Sequence, residues 1–323
     1  MKMVNTVLGP VSSDELGLTL MHEHFFWGLT GYFVDETVAP FAPEEAVNTA
    51  LADMEELKTY GVKTIVDATS NEGGRDPGLL REIAEKSGMN IICSTGLYEE
   101  HGGAAPYFRT RSTFPIFDVI AEIEELFVKE ITEGIGKTGV KAGVIKVGTG
   151  SGSISEYEER VLKAAARAQK ATGVPIITHT EDGTMGPEQV DIFLAGGAEP
   201  KQIMIGHCGG SGDVKYHTAI LDKGVYIAFD RLGGDMPGKH LDRWRLASII
   251  GLIGIGHAER LIMSHDYVMK LRGRPIPTAL MMPNWHWRHI FKDIIPALKK
   301  AGIADDTINM IMVENPRRLF AGD

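Results

Sequence analysis

Eight times along the chain a short run of β-branched and apolar residues gives way to glycine or polar residues and then to a longer stretch of helical period. The candidate strands read LTLMHEHFF (18–26), VKTIVDAT (62–69), MNIICSTGLY (89–98), AGVIKVGT (142–149), VPIITHT (174–180), IMIGH (203–207), VYIAFD (225–230) and RLIMSHD (260–266). Between them lie segments such as PEEAVNTALADMEELKTYG (43–61), SEYEERVLKAAARAQKATG (155–173) and PEQVDIFLAGG (187–197), with apolar residues three and four apart and glycine at several ends. Strand and helix in eightfold alternation predict an α/β fold, a TIM (β/α)8 barrel, with residues 1–323 as one domain. A doubly wound open sheet is the alternative, but no G-x-G-x-x-G follows an early strand, which removes its commonest dinucleotide-binding version.

Barrel chemistry gathers at the C-terminal ends of the strands, so the residues there carry most information. Strand one holds His22 and His24, two apart in an apolar run and therefore on one face. Strand four holds Lys146, strands five and six end at His179 and His207, and strand eight ends at Asp266. Each has a plain structural reading alone: a hydrogen-bonded strand-end histidine, a capping aspartate, a lysine reaching solvent. Together they aim imidazole and carboxylate ligands at one mouth, a set suited to zinc, manganese, iron or cobalt. Lys146 is the odd member, since an ammonium in a buried central strand is costly and metal ions would repel it.

The balance of charge narrows the partners. A net charge of −10 argues against nucleic acid and anionic membrane, which call for a basic face, and favours a small-molecule substrate. Cys93 and Cys208 are too few for a disulfide framework, and MKMVNTVLGPVSS has no long apolar leader core, so a cytoplasmic protein is expected. The most apolar helical stretch, 246–266, is broken by glycines, His257 and charges, and no membrane span is expected.

The motifs LTLMHEHFF, KAGVIKVGT, VPIITHT, IGHCG, AFDR, LIMSHDY and ENPRRLF, spread over nearly the whole chain, resemble the phosphotriesterase family of the amidohydrolase superfamily. The resemblance implies a hydrolase with two divalent metal ions. It implies that carbon dioxide carboxylates Lys146, turning the amine into an anionic carbamate that bridges the metals. His22, His24 and Asp266 would hold the inner metal, and His179 and His207 the outer one. A hydroxide shared by the metals would be the nucleophile and Asp266 its proton acceptor.

Two further places resemble the phosphotriesterase-like lactonases: Tyr98, closing CSTGLY, and Arg231, in AFDRLGG. The resemblance sets the tyrosine over the metal pair near the substrate carbonyl and the arginine in the pocket wall. The long loop 270–289 adds an expected apolar tunnel for an acyl chain, lined by Met281, Met282, Trp285 and Trp287. After Tyr98 the acidic, glycine-rich EEHGGAAP departs from an acyl-binding stretch, which keeps plain γ- and δ-lactones open beside acyl-homoserine lactones.

The expected activity is lactone or ester hydrolysis with promiscuous phosphotriesterase activity. A dedicated phosphotriesterase or phosphodiesterase on the same metals is the alternative, and a metal-free barrel serving as a binding module is the alternative of another class. Relatives imply a homodimer, for which Phe25, Phe26 and Trp27 or the strand-eight loop offer apolar surface. His265 is expected to face away from the metals. Cys208 is expected to pack, and His101, His217, His240, His257, His286 and His289 to be solvated rather than catalytic.

Overall fold

The computed structural model describes residues 2–235 and 241–323. A short antiparallel hairpin, β1 (Met3–Thr6) and β2 (Gly9–Ser12), precedes the barrel. The barrel strands are β3 (Leu18–Trp27), β4 (Val62–Asp67), β5 (Asn90–Thr95), β6 (Val144–Thr149), β7 (Ile176–Thr180), β8 (Ile203–Ile205), β9 (Tyr226–Phe229), β10 (Leu261–Met263) and β11 (Val268–Leu271). They form one parallel sheet in the order β10-β9-β8-β7-β6-β5-β4-β3-β11. The helices between them include α1 (Pro43–Thr59), α2 (Pro77–Ser87), α3 (Pro106–Arg111), α4 (Val119–Thr132) and α5 (Glu156–Thr172).

The expected strands all form, and the eighth is in two pieces. It runs as β10, breaks at 264–267, and resumes as β11, which pairs with β3 through Val268↔His24 and Lys270↔Phe26. Across the break Asp266 N–H donates to His22 O at 2.9 Å and His24 N–H to Tyr267 O at 2.9 Å. The broken strand thus closes the TIM barrel against β3.

Each of the eight strand positions contributes to one buried apolar layer in the lumen: Met21, Val66, Ile92, Val144, Ile177, Met204, Tyr226 with Ala228, and Ile262. Val4, Leu16, Leu319 and Phe320 join this cluster, so the hairpin and the C-terminal helix plug the barrel's floor. Because strand side chains alternate, the next lumen position lies two residues on, and there the apolar layer gives way to Lys146, His179 and Asp230.

On β3 strict alternation would put Met21 and His22 on opposite faces. An extra residue between Leu20 and Glu23, opposite Ile65 and Asp67, breaks the register. This bulge lets Met21 belong to the lumen layer while His22 and His24 both face the mouth. The larger apolar core lies between the sheet and the surrounding helices. Two glycines make the close approaches that the barrel wall needs: a Cβ on Gly96 would lie 1.7 Å from Lys146 O, and one on Gly206 2.0 Å from Thr178 O.

Two expectations about surface are corrected by this packing. Phe25 and Phe26 are 0% and 1% exposed, stacked against Trp287 and Phe41, and offer no surface to a second copy. His217 and His289 are buried rather than solvated: His217 Nε2 bonds Cys208 O, and His289 lies between Asp242 and Asp293. His101 is exposed, whereas His257 and His286 are half-buried, and His240 falls outside the described residues. Among the described residues no helix is long and apolar enough to cross a membrane.

Candidate active site

His22, His24, Lys146, His179, His207 and Asp266, drawn from five places along the chain, meet at the C-terminal mouth of the barrel. His22, Lys146, His179 and His207 are at most 2% exposed, and His24 is 7% exposed. The His22 and His207 ring centroids are 4.8 Å apart, and those of His179 and His207 4.5 Å. His207 and Asp266 both stand just past their strands in the left-handed region, at φ 57° and 54°. Such a backbone is costly for a residue other than glycine, and it turns both side chains inward at the point where the strand would otherwise carry them past the mouth.

The hydrogen bonds behind the rings settle which nitrogen faces the centre. Asp230, fully buried at the end of β9, takes His22 Nδ1–H at 2.7 Å, His207 Nδ1–H at 2.9 Å and His207 N–H at 2.7 Å. A carboxylate only accepts, so both rings carry the proton on Nδ1 and present the lone pair of Nε2 to the mouth. His24 Nδ1 lies 2.8 Å from Thr69 Oγ1, whose hydroxyl is also 3.3 Å from Phe26 O, so Thr69 anchors this ring from behind. On His179 the pattern is inverted: Nε2–H donates to Glu181 at 2.8 Å, which leaves the Nδ1 lone pair near the Tyr98 hydroxyl at 3.4 Å.

Burial favours the neutral form of three rings, depressing His22 and His207 and taking His179 down to about 4. The Glu181 carboxyl is drawn down to about 2 by its bond to His179.

The Nε2 atoms of His22, His24 and His207 converge on Asp266. Asp266 Oδ1 lies 3.0 Å from His24 Nε2 and 3.4 Å from His22 Nε2, and Oδ2 lies 3.7 Å from His207 Nε2. His22, His24 and Asp266 thus bring two imidazole nitrogens and a carboxylate oxygen within 4.8 Å of one another, a donor set that fits a divalent metal. Lys146 Nζ sits 2.7 Å from His22 Nε2, and among the described residues it has no carboxylate within ion-pair distance. Burial lowers its amine to about 8, which favours the neutral form, the form able to attack carbon dioxide.

Above this cluster is a cavity of about 170 Å³. Trp27, Ala68, Val268 and Trp285 supply its apolar lining, and Tyr98 and Arg231 line it with polar groups beside the cluster. Tyr98 lies three residues beyond β5, its ring edge-on to His179 at 5.2 Å, and burial raises its phenol. Arg231 Nε donates to Asp266 Oδ2 at 3.0 Å; burial opposes its charge, but Asp266 and Glu181 hold the guanidinium protonated.

The expected tunnel is corrected in part: Trp285 lines the cavity and Trp287 does not. Trp287 is buried against Phe25 and Tyr267 and donates Nε1–H to Asp53, while Met281 is half-exposed and Met282 is absent from the cavity wall.

Sequence reasoning passed over Asp230, Thr69 and Glu181, the groups that orient the rings. For Asp230 a signal existed, since it ends the seventh strand two residues after lumen-facing Ala228.

Three comparisons bear on what such a site does. The sequence model of the phosphotriesterase family matches residues 2–320. A phosphotriesterase homology protein of Mycobacterium tuberculosis is 38% identical over 99% of this chain and 98% of its own, and an aryldialkylphosphatase of Saccharolobus solfataricus is 34% identical over 96% and 97%. Among solved structures, a mutant of a phosphotriesterase-like lactonase from Deinococcus radiodurans superposes with a TM-score of 0.95 at 43% identity, covering 98% of this chain and 99% of that one.

Proposed function

This chain belongs to the phosphotriesterase family of hydrolases, and from that premise we propose that it opens lactones, with weaker hydrolysis of phosphotriesters. The observation that carries the reading is the compact cavity over the cluster, about 170 Å³, lined by apolar Trp27, Val268 and Trp285 and by polar Tyr98 and Arg231. A lactone ties its acyl and alkoxy parts into one ring and needs one such space. A phosphotriester spreads three arms from phosphorus and needs three. The lactonase among the structural neighbours supports the same choice.

In this reading His22, His24 and Asp266 would hold one divalent ion and His179 and His207 a second, with N-carboxylated Lys146 as a ligand to both. Zinc, cobalt, iron or manganese each suits these donors. Carboxylation joins the neutral Lys146 Nζ to the carbon of CO2 and releases one proton, leaving a carbamate. When bound, the ions supply Lewis acidity and a water of lowered pKa.

The remaining work falls to the chain's own groups. The Asp266 carboxylate accepts the proton of the attacking water, and the Arg231 bond to Oδ2 fixes its orientation. The Tyr98 hydroxyl, beside His179, donates to the oxygen of the opening ester. Trp27, Val268 and Trp285 exclude water from the ring's apolar face. Lactone and water give one hydroxy acid, so no further co-reactant is needed. The partner is a small molecule, and the working assembly is a homodimer in the cytoplasm.

The test is ring opening followed by proton release across γ-, δ- and acyl-homoserine lactones, with paraoxon alongside, on chelated and then metal-restored protein. Metal-dependent lactone turnover far above paraoxon is the expected result. Paraoxon ahead by orders of magnitude would replace this reading with a dedicated phosphotriesterase, and lactone turnover indifferent to chelation would remove the metals from it.

A further inference from the structure

Between His22 and His24 stands Glu23, whose side chain points away from the mouth and is 0% exposed. Its carboxylate reaches across the barrel seam to the broken eighth strand. Oε1 accepts from Ser264 Oγ at 2.8 Å, His265 N at 2.9 Å and His265 Nδ1 at 2.8 Å, and Oε2 accepts from Tyr267 N at 3.0 Å. The accepted donors come from the two residues before Asp266 and the one after it. Asp266 itself, at φ 54°, is the residue between them.

A non-glycine residue in that region is held there by its surroundings, and here both flanks are bonded to one carboxylate. Ser264 Oγ also accepts from His22 N at 3.0 Å, so the brace returns to the strand that carries the histidines.

The brace extends towards the substrate wall through His265. With Nδ1–H given to Glu23, its Nε2 is an acceptor, and it takes Ile290 N–H at 3.2 Å. The His265 carbonyl accepts Trp285 Nε1–H at 2.9 Å. One buried carboxylate is therefore tied to the turn that aims Asp266 and, through His265, to the tryptophan that walls the cavity.

We infer that Glu23 is a positioning residue: it holds Asp266 in its left-handed turn and sets the distance between Asp266 and the Trp285 wall. The inference rests on the reading of Asp266 as ligand and proton acceptor, but its test uses readouts that need no substrate.

Glu23→Gln keeps the shape and replaces one oxygen by a donor. In either orientation the amide nitrogen meets an N–H or O–H it cannot accept from, so at least the Tyr267 bond or the Ser264 and His265 bonds are lost. The expected result is a 10- to 100-fold weaker hold on one of two metal equivalents, measured by chelator competition, and a changed visible spectrum of the cobalt-loaded protein. Turnover should fall through kcat with KM within about 3-fold.

Glu23→Gln could compromise folding, so Ser264→Ala, which removes only one member of the brace, is measured beside it and should show the same changes at 2- to 10-fold. Unaltered metal affinity and cobalt spectrum in a folded Ser264→Ala protein, or in folded Glu23→Gln, would overturn the inference. If the wild-type chain proves inactive on lactones while these metal readouts shift as expected, the lactonase reading fails and the brace stands.

Discussion

Asp230 shows how much of this site depends on a residue that never faces the substrate. It collects three donors from His22 and His207, and by accepting from both Nδ1 atoms it makes both Nε2 atoms available at once. Asp230→Asn would offer one ring an N–H where it needs an acceptor, turning that ring over or releasing it. The expected loss is about 10- to 100-fold in kcat/KM with a matching loss of metal affinity, read by activity and metal titration on the same sample.

Lys146 gives a second prediction. An amine lowered to about 8 and lacking a carboxylate partner should be slow to accept metals until it is carboxylated. Metal-stripped protein should regain activity faster with added bicarbonate than in CO2-depleted buffer, and equal rates would count against the carbamate. The residues that meet at the mouth were legible because histidine and lysine are conspicuous in apolar strands. Asp230, Thr69 and Glu23 were not, because an acceptor's role depends on which donor sits behind it, and sequence spacing does not show that.

At the scale of elements, the loop after β5 is pinned from below by carboxylates. Tyr98 N–H donates to Glu72 at 2.5 Å, Glu100 N–H to Glu158 at 3.0 Å, and His101 N–H to Glu99 at 2.6 Å. Glu158 also closes the capping box of α5 with Ser155, so one residue starts a helix and holds the loop that carries Tyr98.

Glu72 is strained in this role. Its second oxygen is buried without a partner, and burial raises its carboxyl from 4.5 to about 7 despite bonds from Tyr98 and Ser70 and the nearby Arg75 charge. The folded state thus binds a proton that the unfolded chain has released between those two values. Stability should therefore fall as pH rises from about 4.5 to about 7, by roughly 3 kcal/mol at most, and stay low above it. Glu72→Gln keeps an acceptor for Tyr98 and removes the titration. Thermal melts should show the variant more stable than the parent at pH 8 and alike at pH 5, and parallel melts at both pH values would refute the assignment.

The strands themselves were readable to within a few residues, as were α1 and α5. The hairpin β1–β2, the β3 bulge and the resumption of the eighth strand as β11 were not. Each is defined by pairing with a distant segment, and VMKL alone reads as part of a loop.

On the scale of the whole molecule, two loops carry exposed apolar side chains, Leu29, Phe33, Val34 and Val38 in one and Ile276, Leu280 and Met281 in the other, and a third group, Tyr107, Phe114 and Ile116, lies around α3. The proposed homodimer would bury the two loops, and light scattering should return twice the chain mass, with Leu280→Glu shifting it towards one chain.

The site also has a global consequence. Its candidate ligands come from β3, β6, β7, the turn after β8 and the break after β10, and Asp230 links two of them from the end of β9. No local segment contains a complete set, so the unfolded chain cannot reproduce the site and metal binding must favour the closed barrel. At a metal concentration a thousand times its Kd, one site adds about 4 kcal/mol, which in a chain of this size is on the order of 10 °C in Tm. His22, His24 and Asp266 meet across the seam where the barrel closes, so the loss of an ion held by them should fall on the whole barrel and not on one loop. Calorimetry of chelated protein should therefore show a single transition moved down as a unit, restored by zinc or cobalt. A melt unmoved by chelation would mean that these histidines hold no metal in the folded chain.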